Sequence, residues 1–178
     1  MNRLLRQMLL LKEWEEAFPL LMMGHSESIG LDIEARAQLT EWLFADADVN
    51  IARGRFRDLP EGENYIPLAP SLTSTAGVTF RFQEGYEGSI RVRHIGDRPA
   101  NEDNSVRAEG NTVFDASVGY RFGSYRLQLS AENIFNVEWN EAQFDTESRL
   151  LNETDAVSEL HFTPGTPLSV KMKAEFSF

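Results

Sequence analysis

The last eleven residues, LSVKMKAEFSF (Leu168–Phe178), alternate between apolar and polar side chains. One face carries Leu168, Val170, Met172, Ala174, Phe176 and Phe178, and the other carries Ser169, Lys171, Lys173, Glu175 and Ser177. Successive side chains of a β-strand point to opposite faces, so this segment predicts a strand with one apolar and one charged face.

The same period of two recurs upstream. It is found in Ile29–Arg36, Leu43–Ala52, Leu72–Phe82, Ser89–Arg93, Phe114–Phe122 and Tyr125–Glu132. Most of these segments are close to the roughly 9–11 residues that cross a bilayer as a tilted strand. The pattern predicts an all-β fold, an antiparallel up-and-down meander of about seven long strands.

The links between these segments alternate in length. Short links lie at Gln38–Trp42, Gln83–Gly88 and Gly123–Ser124, whereas long ones lie at Arg57–Pro70, Asp97–Asn111 and Asn136–Pro167. Outer-membrane barrels have short periplasmic turns and longer extracellular loops, and their apolar residues face lipid. The sorted links therefore favour a partial membrane β-barrel with a charged lumenal face and aromatic residues near the turns. Alternation alone also fits a soluble ligand-binding barrel with its apolar rows inside.

Residues 1–26 differ from the rest of the chain and predict a separate segment, with the barrel segment spanning residues 27–178. Helix formers dominate Arg3–Phe18, so a short amphipathic helix is expected there. Lys12 and several glutamates interrupt the apolar stretch, which argues against a signal peptide.

Composition excludes several classes of function. The 17 basic and 28 acidic residues of this 178-residue chain give a net charge of −11, which argues against nucleic acid as a partner. Cysteine is absent, which excludes disulfides and thiolate metal sites. His25, His94 and His161 lack ligand spacing, and no nucleophile elbow or phosphate-binding loop is present. We therefore expect no metal, no cofactor and no enzymatic activity.

Four stretches in this order resemble the carboxyl-terminal barrel of a TonB-dependent outer-membrane receptor. They are IPLAPSLTSTAGVTFRF (Ile66–Phe82), Arg91–Phe122, Ser130–Phe144 with its NIFN stretch at Asn133–Asn136, and His161–Phe178 with its terminal aromatic residue. The resemblance implies a bacterial outer-membrane location and a role in the uptake of siderophores or similar scarce nutrients.

The resemblance also implies partners. Barrels of this family have about 22 strands and a plug in the lumen. Seven strands are therefore expected to act with the remainder of the barrel and the plug, in outer-membrane lipid, and not to transport alone. The alternative is a small closed barrel of about eight strands, structural or pore-forming, with its missing strand taken from residues 1–26 or the last loop.

Two pairs of residues are candidate sites. Arg91 and Arg93 share the predicted lumenal face, where they would contact an anionic ligand or the plug, or simply form a solvated wall. For Phe176 and Phe178, the resemblance implies a signal read by the barrel-assembly machinery through pairing at a strand edge.

Overall fold

The computed structural model describes residues 8–10, 25–149, 151 and 155–178. In these residues the chain forms strands, turns and loops. Within the same ranges, no helix is long and apolar enough to span a membrane.

Twelve strands are described. Nine of them have eight or more residues, and seven of these nine lie in the main sheet. The twelve strands are β1 (Met8–Leu10), β2 (Ser26–Gln38), β3 (Leu43–Phe56), β4 (Leu72–Arg81), β5 (Tyr86–Ile95), β6 (Arg98–Pro99), β7 (Arg107–Ala108), β8 (Asn111–Phe122), β9 (Tyr125–Glu132), β10 (Asn140–Ser148), β11 (Val157–Pro164) and β12 (Ser169–Phe176).

The main sheet has the strand order β1-β2-β3-β4-β5-β8-β9-β12, and all its neighbours are antiparallel. This topology confirms the all-β meander of seven long strands, β2–β5, β8, β9 and β12. Across the described part of the chain, β1 and β12 lie at opposite edges of the sheet and are not paired with each other. The sheet is therefore open, unlike the closed barrel of about eight strands that was the alternative.

The amino-terminal segment differs from its prediction where the structure describes it. Met8–Leu10 form β1, which pairs with β2 in the register Leu9↔Ile33. The helix prediction is wrong for these three residues, and the rest of Arg3–Phe18 lies outside the described residues. An edge strand presents unpaired N–H and C=O groups, and β1 satisfies some of those groups on β2. The division between residues 26 and 27 stays a prediction.

Two of the three long links contain hairpins that their sequences did not predict. β6 and β7 pair within Asp97–Asn111, and β10 and β11 pair within Asn136–Pro167. The second hairpin is fastened to the first by Gln143, which is only 2% exposed. Its side chain accepts a hydrogen bond from Glu109 N and donates one to Glu109 O, at 2.9 and 2.7 Å. Hydrogen bonds from one side chain to the backbone of a distant segment leave no periodic pattern in the sequence.

The two faces of the main sheet differ sharply, and we call the apolar one the outer face and the charged one the inner face. Val170, Met172 and Phe176 on the outer face are 60%, 80% and 55% exposed. Among the described residues, the buried hydrophobic side chains are only those of Ala100, Ala108 and Val113. The apolar rows therefore do not form a water-excluding core, as expected of side chains whose solvent is lipid.

Aromatic rings line the short-turn end of the outer face. Their neighbouring pairs are Trp42–Phe82, Phe80–Phe82, Tyr86–Tyr120, Tyr120–Phe122, Phe122–Tyr125, Tyr125–Phe176 and Phe176–Phe178, with ring centroids 4.5 to 6.1 Å apart. Amphipathic aromatic rings favour the boundary between hydrocarbon and water. This belt therefore marks where the sheet leaves the membrane on the short-turn side.

Candidate functional site

The inner face carries the two arginines that the sequence singled out. A nitrogen of Arg91 lies 3.1 Å from an Asp46 carboxylate oxygen, and one of Arg93 lies 3.1 Å from Asp115. Both guanidinium groups are about half exposed. Each arginine therefore lies on the inner face, where it is paired with an aspartate and remains partly exposed.

The Arg91–Asp46 pair bridges β5 and β3 across the intervening β4. It crosses at Gly77, where an added Cβ would lie 3.0 Å from Arg91 Nη2 and 3.2 Å from Asp46 Oδ1. Any side chain at this position would crowd both partners. Glycine is therefore the residue that lets the two charges meet over the middle strand.

A second charge network repeats this arrangement nearer the short turns. Arg126 Nε donates to Glu87 Oε1 at 2.6 Å, and its Nη1 donates to Glu175 at 3.2 Å. The first contact crosses β8 at Gly119, where an added Cβ would lie 3.1 Å from Glu87 Oε1. Glu175 also pairs with Lys173. The network connects β5, β9 and β12, and its central residue, Arg126, was not singled out from the sequence.

Asn133, the first residue of the NIFN stretch, fastens the last loop to the wall. It is 1% exposed and has a φ of 52°. Its backbone N–H donates to Asp115 Oδ1, and its side-chain amide donates to the carbonyls of Val137 and Thr166 at 2.8 and 3.1 Å. Its Oδ1 accepts from Val137 N at 2.9 Å. One buried amide thus joins the end of β9 to both ends of the β10–β11 loop.

Trp139 belongs to that loop and lines the inner face. Its indole Nε1 donates to Thr166 O at 3.1 Å, and its ring packs so closely on Gly165 that a Cβ there would lie 2.1 Å away. The indole lines two adjoining recesses of the inner face, and both also contain Arg93 and Glu141. Trp139 therefore brings an aromatic surface to the site that carries the paired arginines.

Arg98, at the start of β6, supplies an unsatisfied cation to one of these recesses. Its side chain is 7% exposed, and its Nη1 has no hydrogen-bond partner among the described residues. Burial lowers the pKa of the guanidinium from its usual value, although an arginine keeps its charge at neutral pH. A buried cation without an acceptor is costly, so the recess is suited to an anionic oxygen. The sequence offered no signal for this residue, because an arginine in a polar loop normally points into water.

Within residues 8–10, 25–149, 151 and 155–178, no three or more histidine, aspartate or glutamate side chains form a group that could hold a metal ion. The recesses combine arginine, carboxylate and indole groups and are suited to hydrogen bonding and stacking.

Comparison with protein families gives a match over most of the chain. A family model described as TonB dependent receptor-like, beta-barrel, matches residues 21–137. The ferrioxamine receptor of Yersinia enterocolitica is 29% identical over 132 residues, which cover 69% of this chain and 19% of that protein.

Solved receptor structures share the fold. The ferric citrate transporter FecA matches with a TM-score of 0.70 and 18% identity, covering 87% of this chain and 25% of its own. The ferric yersiniabactin uptake receptor FyuA from Yersinia pestis matches with a TM-score of 0.64 and 17% identity, covering 87% and 24%. The chain therefore spans about a fifth to a quarter of the length of these relatives.

Proposed function

This chain belongs to the TonB-dependent receptor β-barrel family, and from that membership we propose that it forms part of the wall of a receptor that imports ferric siderophores. The family's barrels lie in the outer membrane of Gram-negative bacteria, and the exposed apolar outer face suits that environment. The observation that carries the proposal is the two-faced sheet, apolar outside and charged inside. A ferrioxamine receptor among the relatives supports the choice of ligand class.

The remainder of the barrel and a plug are the proposed protein partners. The open sheet supports the remainder of the barrel as a partner, because the edge strand β12 presents backbone groups with which another strand can pair. The charged inner face supports the plug as a partner, because Arg91 and Arg93 offer hydrogen-bond donors to a domain inside the barrel.

The proposed ligand contacts lie in the recesses under the β10–β11 loop. Arg93 and Arg91 contribute positive charge from the wall, and Arg98 contributes a buried guanidinium with an unfilled donor. Trp139 contributes a flat apolar surface beside them. Together these groups suit a ligand that joins anionic oxygens to an apolar framework.

The test of this function is uptake of ⁵⁵Fe by the host bacterium. Deleting the gene should abolish protonophore-sensitive uptake of at least one ferric siderophore from a panel of hydroxamates, catecholates and carboxylates. Restoring the intact gene should recover the uptake, whereas restoring it with Arg98→Gln should recover less. Unchanged uptake of every siderophore in the deletion strain would refute the proposal.

Phe176 and Phe178 are proposed to form the signal for the barrel-assembly machinery. Phe178 is fully exposed beyond the end of β12, and its ring lies 6.1 Å from that of Phe176. Phe178→Ala should lower the fraction of heat-modifiable, membrane-inserted protein in cells severalfold. It should leave refolding into detergent unchanged, because the ring buries little against the described chain.

The matched control is Phe122→Ala, which removes an outer-face aromatic from the same belt. That change should weaken the folded barrel both in cells and in detergent. Equal losses from the two variants in both settings would show that Phe178 acts only through packing.

A further inference from the structure

Arg98 gives one recess of the inner face an unfilled hydrogen-bond donor. Its side chain is 7% exposed, and its Nη1 has no acceptor among the described residues. The carboxylate of the adjacent Asp97 is engaged elsewhere, because its Oδ1 accepts from Gly110 N at 2.7 Å. A buried guanidinium that lacks an acceptor is costly, so the recess is suited to an anionic oxygen of a bound molecule.

The other side of the same recess is acidic. Asp32 of β2 and Asp48 of β3 both line it. Asp32 accepts a hydrogen bond from the side-chain amide of Asn50, and Asp48 accepts one from the Thr75 hydroxyl at 3.3 Å. In the part of the chain that the structure describes, neither carboxylate forms an ion pair. Two aspartates held in place by neutral partners therefore face the recess with their charge uncompensated.

The register of the sheet keeps the two sides of the recess apart. Asp48 is opposite Thr75 on β4, and Thr75 is opposite Arg93 on β5. Neighbouring strands lie about 4.8 Å apart, so the backbones of Asp48 and Arg93 are separated by roughly 10 Å. Arg98 follows the end of β5, on the same side as Arg93. The negative and positive sides of the recess therefore stay separate, with room for a ligand between them.

The balance of charge in the recess decides what kind of ligand fits. Four carboxylates and two guanidinium groups line it, which gives a formal charge of −2. One of the two guanidinium groups, that of Arg93, is already paired with Asp115 at 3.1 Å. A purely anionic ligand would satisfy Arg98 but would be repelled by the carboxylates, and a neutral ligand would leave them without a partner. A ligand that carries both an anionic oxygen and a cationic group complements both sides.

We propose that this recess selects ferric siderophores that carry a protonated amine, with the amine at Asp32 and Asp48 and a metal-bound anionic oxygen at Arg98. The inference rests on the proposed uptake function and adds to it the charge of the ligand. Arg98 suits the oxygens of any siderophore, whereas the two aspartates distinguish an ammonium group from an amide or a carboxylate. An ammonium group has three donors and no acceptor, so carboxylates are its natural partners. Asp32 and Asp48 are therefore the residues that determine specificity.

The test compares three derivatives of one linear ferric trihydroxamate that differ only at the terminal amine. The amine is free, acetylated or succinylated, so the terminus is positive, neutral or negative. Binding of each ⁵⁵Fe complex is measured on energy-depleted cells that carry the intact gene, with the deletion strain as the blank. The wild type should bind the free amine about tenfold more tightly than the acetylated form, as expected from charge-assisted hydrogen bonds. It should bind the succinylated form most weakly.

Three variants assign the roles of the two sides. Asp32→Asn/Asp48→Asn should bind the free amine no better than the acetylated form, and it keeps side-chain oxygens for Asn50 and Thr75. Asp48→Lys should reverse the order, so that the succinylated form binds best, a gain that misfolding cannot produce. Arg98→Gln should weaken the binding of all three derivatives by a similar factor.

The matched control is Glu27→Gln, which removes a carboxylate from the opposite face of β2, where it is paired with Arg57 at 3.0 Å. This variant should keep the wild-type preference. Equal binding of the three derivatives by the wild type, an unchanged preference in Asp32→Asn/Asp48→Asn, or receptor-dependent uptake confined to neutral or anionic siderophores would each overturn the inference. The proposed uptake function survives all three results, since it fails only when deletion of the gene alters the uptake of no siderophore.

Discussion

Val78→Arg is expected to lower the free energy of unfolding in a lipid bilayer by about 1–2 kcal/mol, less than at the midplane because the next outward residue, Phe80, belongs to the aromatic belt. Val78 lies on the outer face of β4 between Ala45 and Ile90, and it is 46% exposed. The guanidinium would enter hydrocarbon, where water and counterions are absent.

Thr79→Arg is the matched control at almost the same depth. Thr79 lies on the inner face between Phe44 and Ser89, so its guanidinium would remain in water. Both variants are compared with the wild type by urea unfolding in phospholipid vesicles, followed by tryptophan fluorescence. A larger loss from Thr79→Arg than from Val78→Arg would mean that the apolar rows do not face lipid.

The second large effect is expected from Asn133→Ala, which should lower the free energy of unfolding by about 4–5 kcal/mol. The change removes three side-chain hydrogen bonds, each worth roughly 1 kcal/mol net. The Val137 carbonyl loses its side-chain donor, whereas Thr166 O keeps the indole of Trp139. It also places alanine at a φ of 52°, which costs about 1–2 kcal/mol in the left-handed region.

Two variants separate these contributions. Asn133→Gly keeps the favourable backbone conformation but loses the amide, so it should be about 1 kcal/mol more stable than Asn133→Ala. Asn104→Ala changes another asparagine of similar φ, 58°, whose side chain makes a single exposed hydrogen bond with Arg107. Thermal unfolding in detergent that shows equal losses for Asn104→Ala and Asn133→Ala would refute the buried role of Asn133.

The two faces of the sheet have different physical tasks. The outer face needs only apolar volume, because lipid is its solvent and side chains there make few specific contacts. The inner face needs defined partners, and it obtains them by letting long side chains cross a neighbouring strand at Gly77 and Gly119. Its arginine–aspartate pairs are partly exposed, so each contributes little to stability but keeps the inner face charged.

The seven long strands were predictable from the sequence because a period of two is a local property. Each apolar position in Leu168–Phe178 follows from the geometry of a single strand, without reference to any partner. The order of short and long links then fixed the antiparallel meander and its two ends. The four receptor-like stretches pointed to the family for a similar reason, since each is a continuous run of sequence.

Only the tertiary structure decided three features. These are the β10–β11 hairpin, the pairing of β1 with β2, and the burial of Arg98 with an unpaired Nη1. Gln143 is buried because Glu109 stands beside it, and the two are 34 positions apart in the chain. Arg98 carries an unfilled donor because the loops fold over it, and Asn133 spans three segments whose meeting no local pattern encodes. Strand periodicity is thus set within a few residues, whereas burial of polar loop groups depends on segments that meet only in the folded chain.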